Sequence, residues 1–297
     1  MAKQPLFHLH EDAPLFNEAV VFTAAETRFA PRLIEKDYFC SLVLQHLCEA
    51  APELHFKGGT CLAKVHLGFY RLSEDLDFGI PMPVTATRTV RRQSVIQLKK
   101  VVERIGKDFD GLRVLKPLTG ANDSRQYEAT IGYPSRLHAG EDTVSVEISL
   151  REPLLTDVFQ GSAMTLLLDP VSGSAFVPPL PIPCLSREEA MAEKLRAALS
   201  RHEPAIRDFY DIDHAVRRVG FDVQDANVIR LLKTKLAVPG NAAVDTSPAR
   251  LEILRSQLES RLRPVLREQE FREFDLDRAF GVVAQAGDAV GQGRAPA

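Results

Sequence analysis

From Asp75 to Ile80 polar and apolar residues alternate without interruption, Leu76, Phe78 and Ile80 against Asp75 and Asp77. A strand is the conformation that gives this period a use. Its side chains point to opposite faces in turn, so the apolar three address a core while the two carboxylates share the other face. Upstream, Leu54 and Phe56 read as a short strand running into Lys57-Gly58-Gly59-Thr60. Two glycines let the backbone turn tightly into a helix beginning near Thr60, leaving free N–H groups aimed at an anion. The outline is that of a nucleotide-phosphate site beside two oxygen donors that suit Mg²⁺. Each half also has a plainer account, the glycines as a simple turn and Asp-x-Asp as a solvated strand face. The segment joining them is long enough for one helix and its return.

The combined pattern, Lys57-Gly58-Gly59-Thr60 with Ser73-Glu74-Asp75-Leu76-Asp77, resembles the first motif of the AbiEii/AbiGii toxin family. That family belongs to the polymerase-β-like nucleotidyltransferases and includes the MenT-type toxins. The gap between glycines and aspartates is longer than in many polymerase-β-like enzymes and is similar to that of this toxin group. Leu33-Ile34-Glu35-Lys36-Asp37-Tyr38 resembles the helix preceding the family's catalytic core. Taken as residues alone, Glu35 and Asp37 read as solvated charges on a packing helix.

The rest of the chain can be taken in order. Residues 14–50 read as helix broken at Pro31. After Pro81 and Pro83 a long helix is expected to about Phe109, on the stripe Val95, Leu98, Val102, Ile105 and Phe109. Arg88, Arg91, Arg92, Lys99, Lys100, Arg104 and Lys107 face the single acid Glu103 in that stretch, which makes it either a contact for RNA phosphates or a solvated face. Residues 112–150 read as strands, with Tyr127, Ala129, Ile131 and Tyr133 alternating and then Val144, Val146, Ile148 and Leu150. Ser145, Glu147 and Ser149 therefore occupy a polar face. Val144 to Pro153 resembles the family segment that supplies the third metal-binding carboxylate, and Glu147 is the residue so implied.

Val171 to Ser186, with Gly173 and four prolines, reads as a linker and sets a boundary near 183. Ser186-Arg187-Glu188-Glu189 is a capping box opening a helix with the stripe Met191, Leu195 and Ala198. Lys194 and Arg201, two turns apart, would fall on one side of it. A helix restarting at Pro204 makes Asp208 and Asp211 neighbours on one face. These positions resemble the family's C-terminal motif, a Lys and an Arg followed by Arg207-Asp208-Phe209-Tyr210-Asp211, and the resemblance extends over roughly residues 33–215. Beyond 220 more helix is expected, with Leu251, Leu254, Leu258, Leu262 and Val265 as a stripe, and the tail 287–297 reads as disordered.

Composition excludes several classes. The net charge of −3, from 37 basic and 40 acidic residues, gives no global attraction to nucleic acid or membrane, so such a partner needs a local patch. No apolar run approaches a membrane span and no signal-peptide core is present, which favours a cytoplasmic setting. Cys40, Cys48, Cys61 and Cys184 lack metal-type spacing and read as reduced core residues.

The fold expected is α+β, a polymerase-β-like nucleotidyltransferase core over residues 1–183, with a mixed sheet and flanking helices, followed by an α-helical C-terminal domain over 184–297. The resemblance implies Mg²⁺ on Asp75, Asp77 and Glu147. It implies NTP phosphates on Lys57, Gly58, Gly59, Thr60 and Ser73, cationic support from Lys194 and Arg201, and Asp208 and Asp211 beside them. It further implies a type IV toxin–antitoxin or phage-defence nucleotidyltransferase that modifies an RNA acceptor, with tRNA 3′ ends favoured, and a cognate antitoxin encoded alongside. A related enzyme acting on a protein or small molecule, and a binding module that keeps the fold without catalysis, are the alternatives.

Overall fold

A computed structural model describes residues 7–292. The chain forms two compact units. The first is the chain through Leu154 together with Val158–Cys184; the second is Leu155–Asp157 together with the chain from Leu185.

In the first unit, helices α1 (Ala13–Thr27) and α2 (Pro31–Ala50) each carry a proline in the first turn, where a missing N–H costs no hydrogen bond. Asp12 caps α1 by accepting from Leu15 N at 3.1 Å, and Arg28 ends it in the left-handed conformation. The chain continues through β1 (His55–Lys57), α3 (Gly58–Cys61), a π-helical turn Leu62–His66 and β2 (Asp75–Gly79). Next come α4 (Arg88–Ser94), α5 (Ile96–Asp108), β3 (Arg113–Ala121), β4 (Gln126–Pro134), β5 (Glu141–Ser149), β6 (Phe159–Ala163) and β7 (Leu180–Cys184). The seven strands make one mixed sheet in the order β3-β4-β5-β2-β1-β7-β6. Parallel pairing occurs at β2–β5 and β1–β7.

Register explains the two faces. Phe56, Phe78, Ile148 and Tyr127 lie side by side across β1, β2, β5 and β4, and Leu76, Val146 and Ala129 form the adjacent row. All are buried, and with α2 they make the core, where Phe39 stacks on Tyr133 at 3.9 Å between ring centres. The mixed α+β fold read from the sequence is thus present.

Several local expectations are corrected. Glu35 and Asp37 are buried rather than solvated. Glu35 accepts from Ser135 Oγ at 2.8 Å and Arg136 N at 2.6 Å, while Asp37 pairs with the buried Lys64 at 2.6 Å. Their partners come from distant segments, so the charges are satisfied inside the unit. The long basic helix is two helices broken at Val95, with Arg91 turned inward and donating to Asp123 O at 3.4 Å. The proline-rich segment is no mere linker, because Leu180–Cys184 pairs within the sheet.

The second unit is helical among the described residues: α6 (Arg187–Ser200), α7 (Ile206–Val219), α8 (Ala226–Leu236), α9 (Pro248–Arg255), a π-helical turn Leu258–Leu262, α10 (Glu268–Glu273) and α11 (Leu276–Gln292). Ser186 caps α6 by accepting from Glu189 N at 3.2 Å. The other half of the capping box does not form. The Glu189 carboxylate accepts instead from Leu155 N, Thr156 N and Thr156 Oγ1, and pairs with buried Lys235 at 2.8 Å. The stripe Met191, Leu195 and Ala198 is fully buried. Arg201 lies one residue past the end of α6, in extended backbone, and so is not on the helix with Lys194. The stripe from Leu251 to Val265 is divided among α9, the π turn and a short 3-10 turn, with Leu254, Leu262 and Val265 buried. Helix α11 takes in residues 287–292 of the expected disordered tail, and residues 293–297 lie outside the described residues. No helix among the described residues is long and apolar enough to cross a membrane.

Candidate active site

Opposite the apolar rows, the sheet carries a polar one. Lys57 on β1, Asp77 on β2, Glu147 on β5 and Glu128 on β4 stand in register, each paired with the next. Asp75 is two residues back on the same face as Asp77, paired with Ser145. Parallel pairing of β2 with β5 thus puts Asp77 and Glu147 on adjacent strands, although 70 positions separate them in the chain.

The glycine turn closes onto this row. Gly58 has φ +74°, and a Cβ placed on it would lie 2.1 Å from Asp77 Oδ2. A Cβ on Gly59 would lie 2.4 Å from Arg71 Nη2 and 3.4 Å from Ser73 Oγ. Three side chains of different character therefore crowd one turn: a carboxylate, a guanidinium and a hydroxyl. Arg71 is the member that sequence reasoning passed over. It is 2% exposed, donates to Leu72 O at 3.2 Å, and brings a permanent positive charge to the glycines. The signal was its position four residues before Asp75. Thr60 is buried, and its hydroxyl donates to Asp75 O, tying the helix start to β2. That bond commits the Thr60 hydroxyl to β2.

An expected outcome follows for the turn. Gly58→Ala should cost about 2–4 kcal/mol, the sum of left-handed strain and a clash that displaces Asp77. Gly68 has the same φ of +74° with nothing within 4 Å of its would-be Cβ, so Gly68→Ala isolates the strain. Denaturant unfolding of both variants measures the difference. Equal losses would mean that Asp77 yields freely.

In the second unit, the Lys194 ammonium lies 2.9 Å from Asp208 Oδ1 and 3.1 Å from Asp211 Oδ2. Arg201 Nη1 reaches Asp208 Oδ2 at 3.3 Å. The i, i+3 spacing of the aspartates on α7 sets both against one cation. Asp211 is fully buried, Asp208 nearly so, and Arg201 is half exposed. Arg250, also buried, donates to Ala198 O at 2.8 Å and Arg201 O at 3.1 Å, which holds the end of α6 and the Arg201 backbone.

One further cluster was not legible. Cys61, His66 and Cys184 come together in the first unit. Hydrogen bonding from Cys61 and His66 brings the Cys184 thiol down to about 6 despite its burial.

A model of the family described as nucleotidyl transferase AbiEii toxin, type IV TA system, matches residues 42–284. The chain belongs to the AbiEii family. The match takes in the geometry described in each unit, from within α2 into α11. Among solved structures, one from Helicobacter pylori whose assignment as a nucleotidyltransferase is itself provisional is similar, with a TM-score of 0.51 at 15% identity, covering 89% of this chain and 97% of the other. JHP933 from Helicobacter pylori gives a TM-score of 0.49 at 16% identity, covering 89% of this chain and 94% of the other. No curated protein matches. The likeness to the first of these speaks to the fold, and AbiEii membership supplies the class: a nucleotidyl transferase toxin of a type IV toxin–antitoxin system, hence a nucleotide substrate and a cognate antitoxin.

Proposed function

We propose that the chain is an active Mg²⁺-dependent nucleotidyltransferase that moves a nucleoside monophosphate from an NTP to an RNA hydroxyl, with tRNA 3′ ends as the acceptor. The single observation that carries this reading is the Gly58–Gly59 turn packed against Asp77, which itself stands in register with Glu147. An anion cradle and hard oxygen donors meet there, and Asp75, Asp77 and Glu147 fit a Mg²⁺ ligand set by their donor chemistry. Bound on those carboxylates, Mg²⁺ would supply Lewis-acid charge neutralisation at the α-phosphate and the leaving pyrophosphate.

The protein groups have separate tasks. The N–H groups of Gly58, Gly59 and Thr60, with Ser73 Oγ and Arg71, hold phosphate oxygens. Asp77 or Glu147 aligns the acceptor hydroxyl and takes up its proton, while the oxygen forms the new bond to the α-phosphorus and the bond to pyrophosphate breaks. Lys57 balances the charge of the carboxylate row. Lys194 and Arg201 are assigned to phosphate recognition, with Asp208 and Asp211 as their positioning partners. The reading includes a role in phage defence and neutralisation by the cognate antitoxin in the cytoplasm.

Incubation with each α-labelled NTP, Mg²⁺ and total RNA tests it. Label in RNA is the expected result; label only in protein or a small molecule would move the activity to another acceptor, and none would remove it.

The basic stretch supports an RNA acceptor in a narrower form than sequence alone suggested. Arg91 is buried, but Arg92, Lys100 and Lys107 are exposed. Replacing those three with Gln should lower the log–log salt slope of tRNA binding by roughly 0.7 per lost phosphate contact, leaving NTP binding unchanged. Filter binding across a salt series measures it, and an unchanged slope would make these helices merely solvated.

A further inference from the structure

The cluster of Cys61, His66 and Cys184 lies outside the carboxylate face and is used by none of the chemistry above. Its assembly has a local cause. In an α-helix a residue five positions on points roughly 140° away, since each step is about 100°. A π turn, bonded from i to i+5, brings that residue back into line. Leu62–His66 is such a turn, with Leu67 N donating to Leu62 O at 2.8 Å. His66 therefore returns to the side of Cys61. The second thiol arrives from the sheet: Cys184 ends β7 and pairs in register with Phe56 on β1 and Phe159 on β6.

Room is kept for the cluster by Gly161, where a Cβ would lie 2.8 Å from Cys184 Sγ and 2.7 Å from Val65 Cγ1. The Phe159 ring closes one flank, 5.7 Å from the His66 imidazole between centres. Both thiols are buried, while His66 is partly exposed and gives a route from solvent. The ligand atoms of the three residues all lie within 4.8 Å of one another.

We propose that Cys61, His66 and Cys184 form a binding site for a thiophilic divalent cation, Zn²⁺ by preference, with the fourth coordination position left to water. Two thiolates and one imidazole are a donor set that selects Zn²⁺ and disfavours Mg²⁺. Tetrahedral ligation with Zn–S near 2.3 Å sets the two sulfurs about 3.8 Å apart, so closure asks for a movement of at most about 1 Å. Ligation needs both sulfurs as thiolates, so any proton still held by either is released to solvent on loading. Because Cys61 is three residues from Gly58, the ion would clamp the glycine turn to β7. The site uses none of the carboxylates, and its test reads metal binding rather than transfer.

Co²⁺ is the probe. Full-length protein, reduced and stripped of metal, should take up one Co²⁺ per chain with visible d–d bands and near-ultraviolet thiolate-to-cobalt charge transfer, and Zn²⁺ should displace it. His66→Gln keeps both buried thiols, and Cys184→Ser removes one. Each should weaken Co²⁺ binding by at least about 10–100-fold, the cost already known for losing an outer-shell partner. Absence of charge-transfer bands in the reduced wild-type protein would overturn the proposal, a result that needs no variant to fold. Bands that survive unchanged in both variants would overturn it equally.

Discussion

Asp77→Ala is expected to lower nucleotide transfer by at least about a thousandfold, roughly 4 kcal/mol of transition-state stabilisation. Asp77 is the residue on which the polar row turns. It stands in register with Lys57 on one side and Glu147 on the other, and its carboxylate presses on Gly58. Its side chain lies on the face away from the apolar rows, so the unfolding midpoint should move little, within the range of a surface change of about 0.5–1 kcal/mol. Asp77→Asn separates charge from shape, since it keeps the side chain's size against the glycine turn. Loss in both variants assigns the role to the negative charge. If both retained activity within about tenfold of the wild type in the labelled-NTP assay, the carboxylate row would not be the catalytic centre.

Lys194→Met should destabilise the second unit by about 3–5 kcal/mol, the usual cost of removing one partner from a buried ion pair. The methionine fills most of the volume and isolates the loss of charge. Asp208 and Asp211, three residues apart on α7 and both buried, would then face each other without the ammonium 2.9 and 3.1 Å away. Arg201 could compensate only in part, since it is half exposed and reaches the other oxygen of Asp208 at 3.3 Å. Lys194→Arg keeps the charge but brings a planar fork to a place shaped for a compact ammonium, and should recover less than half of the loss. Chemical denaturation measures stability, and labelled-NTP transfer at a temperature where the variant is folded measures function. A stable but inactive Met variant would make Lys194 primarily a ligand for phosphate; an unstable variant with normal transfer would make it a strut.

What was legible in the sequence was whatever a short window could hold. The alternation of Asp75 to Ile80 appears in the fold residue by residue, and the strands carrying Tyr127 and Val146 follow the same rule. Glu147 was placed on a polar face correctly, but its alignment with Asp77 is a property of the parallel pairing of β2 with β5, which no local pattern encodes. Strand β7 was missed because Pro181 and Pro183 look like linker residues. They fit since they alternate with buried Leu180, Ile182 and Cys184, so both missing N–H groups fall on the same side of the strand. Glu35 and Asp37 looked solvated, and Arg91 looked like part of an exposed basic face, because their partners, Arg136, Lys64 and Asp123, are brought to them only by the tertiary fold.

The position of β1 has a consequence in time. It is three residues long, and one of its neighbours, β7, is synthesised more than 120 residues later. While the ribosome is still short of residue 184, that side of β1 has nothing to pair with, and the Gly58 turn leaves a half-held strand. Closing so distant a contact is slow and entropically costly compared with forming the β3–β4–β5 meander, which needs only neighbouring chain. A nascent chain can therefore pair β2 with β5 before β1, the strand that leads into the Gly58 turn, has both of its neighbours.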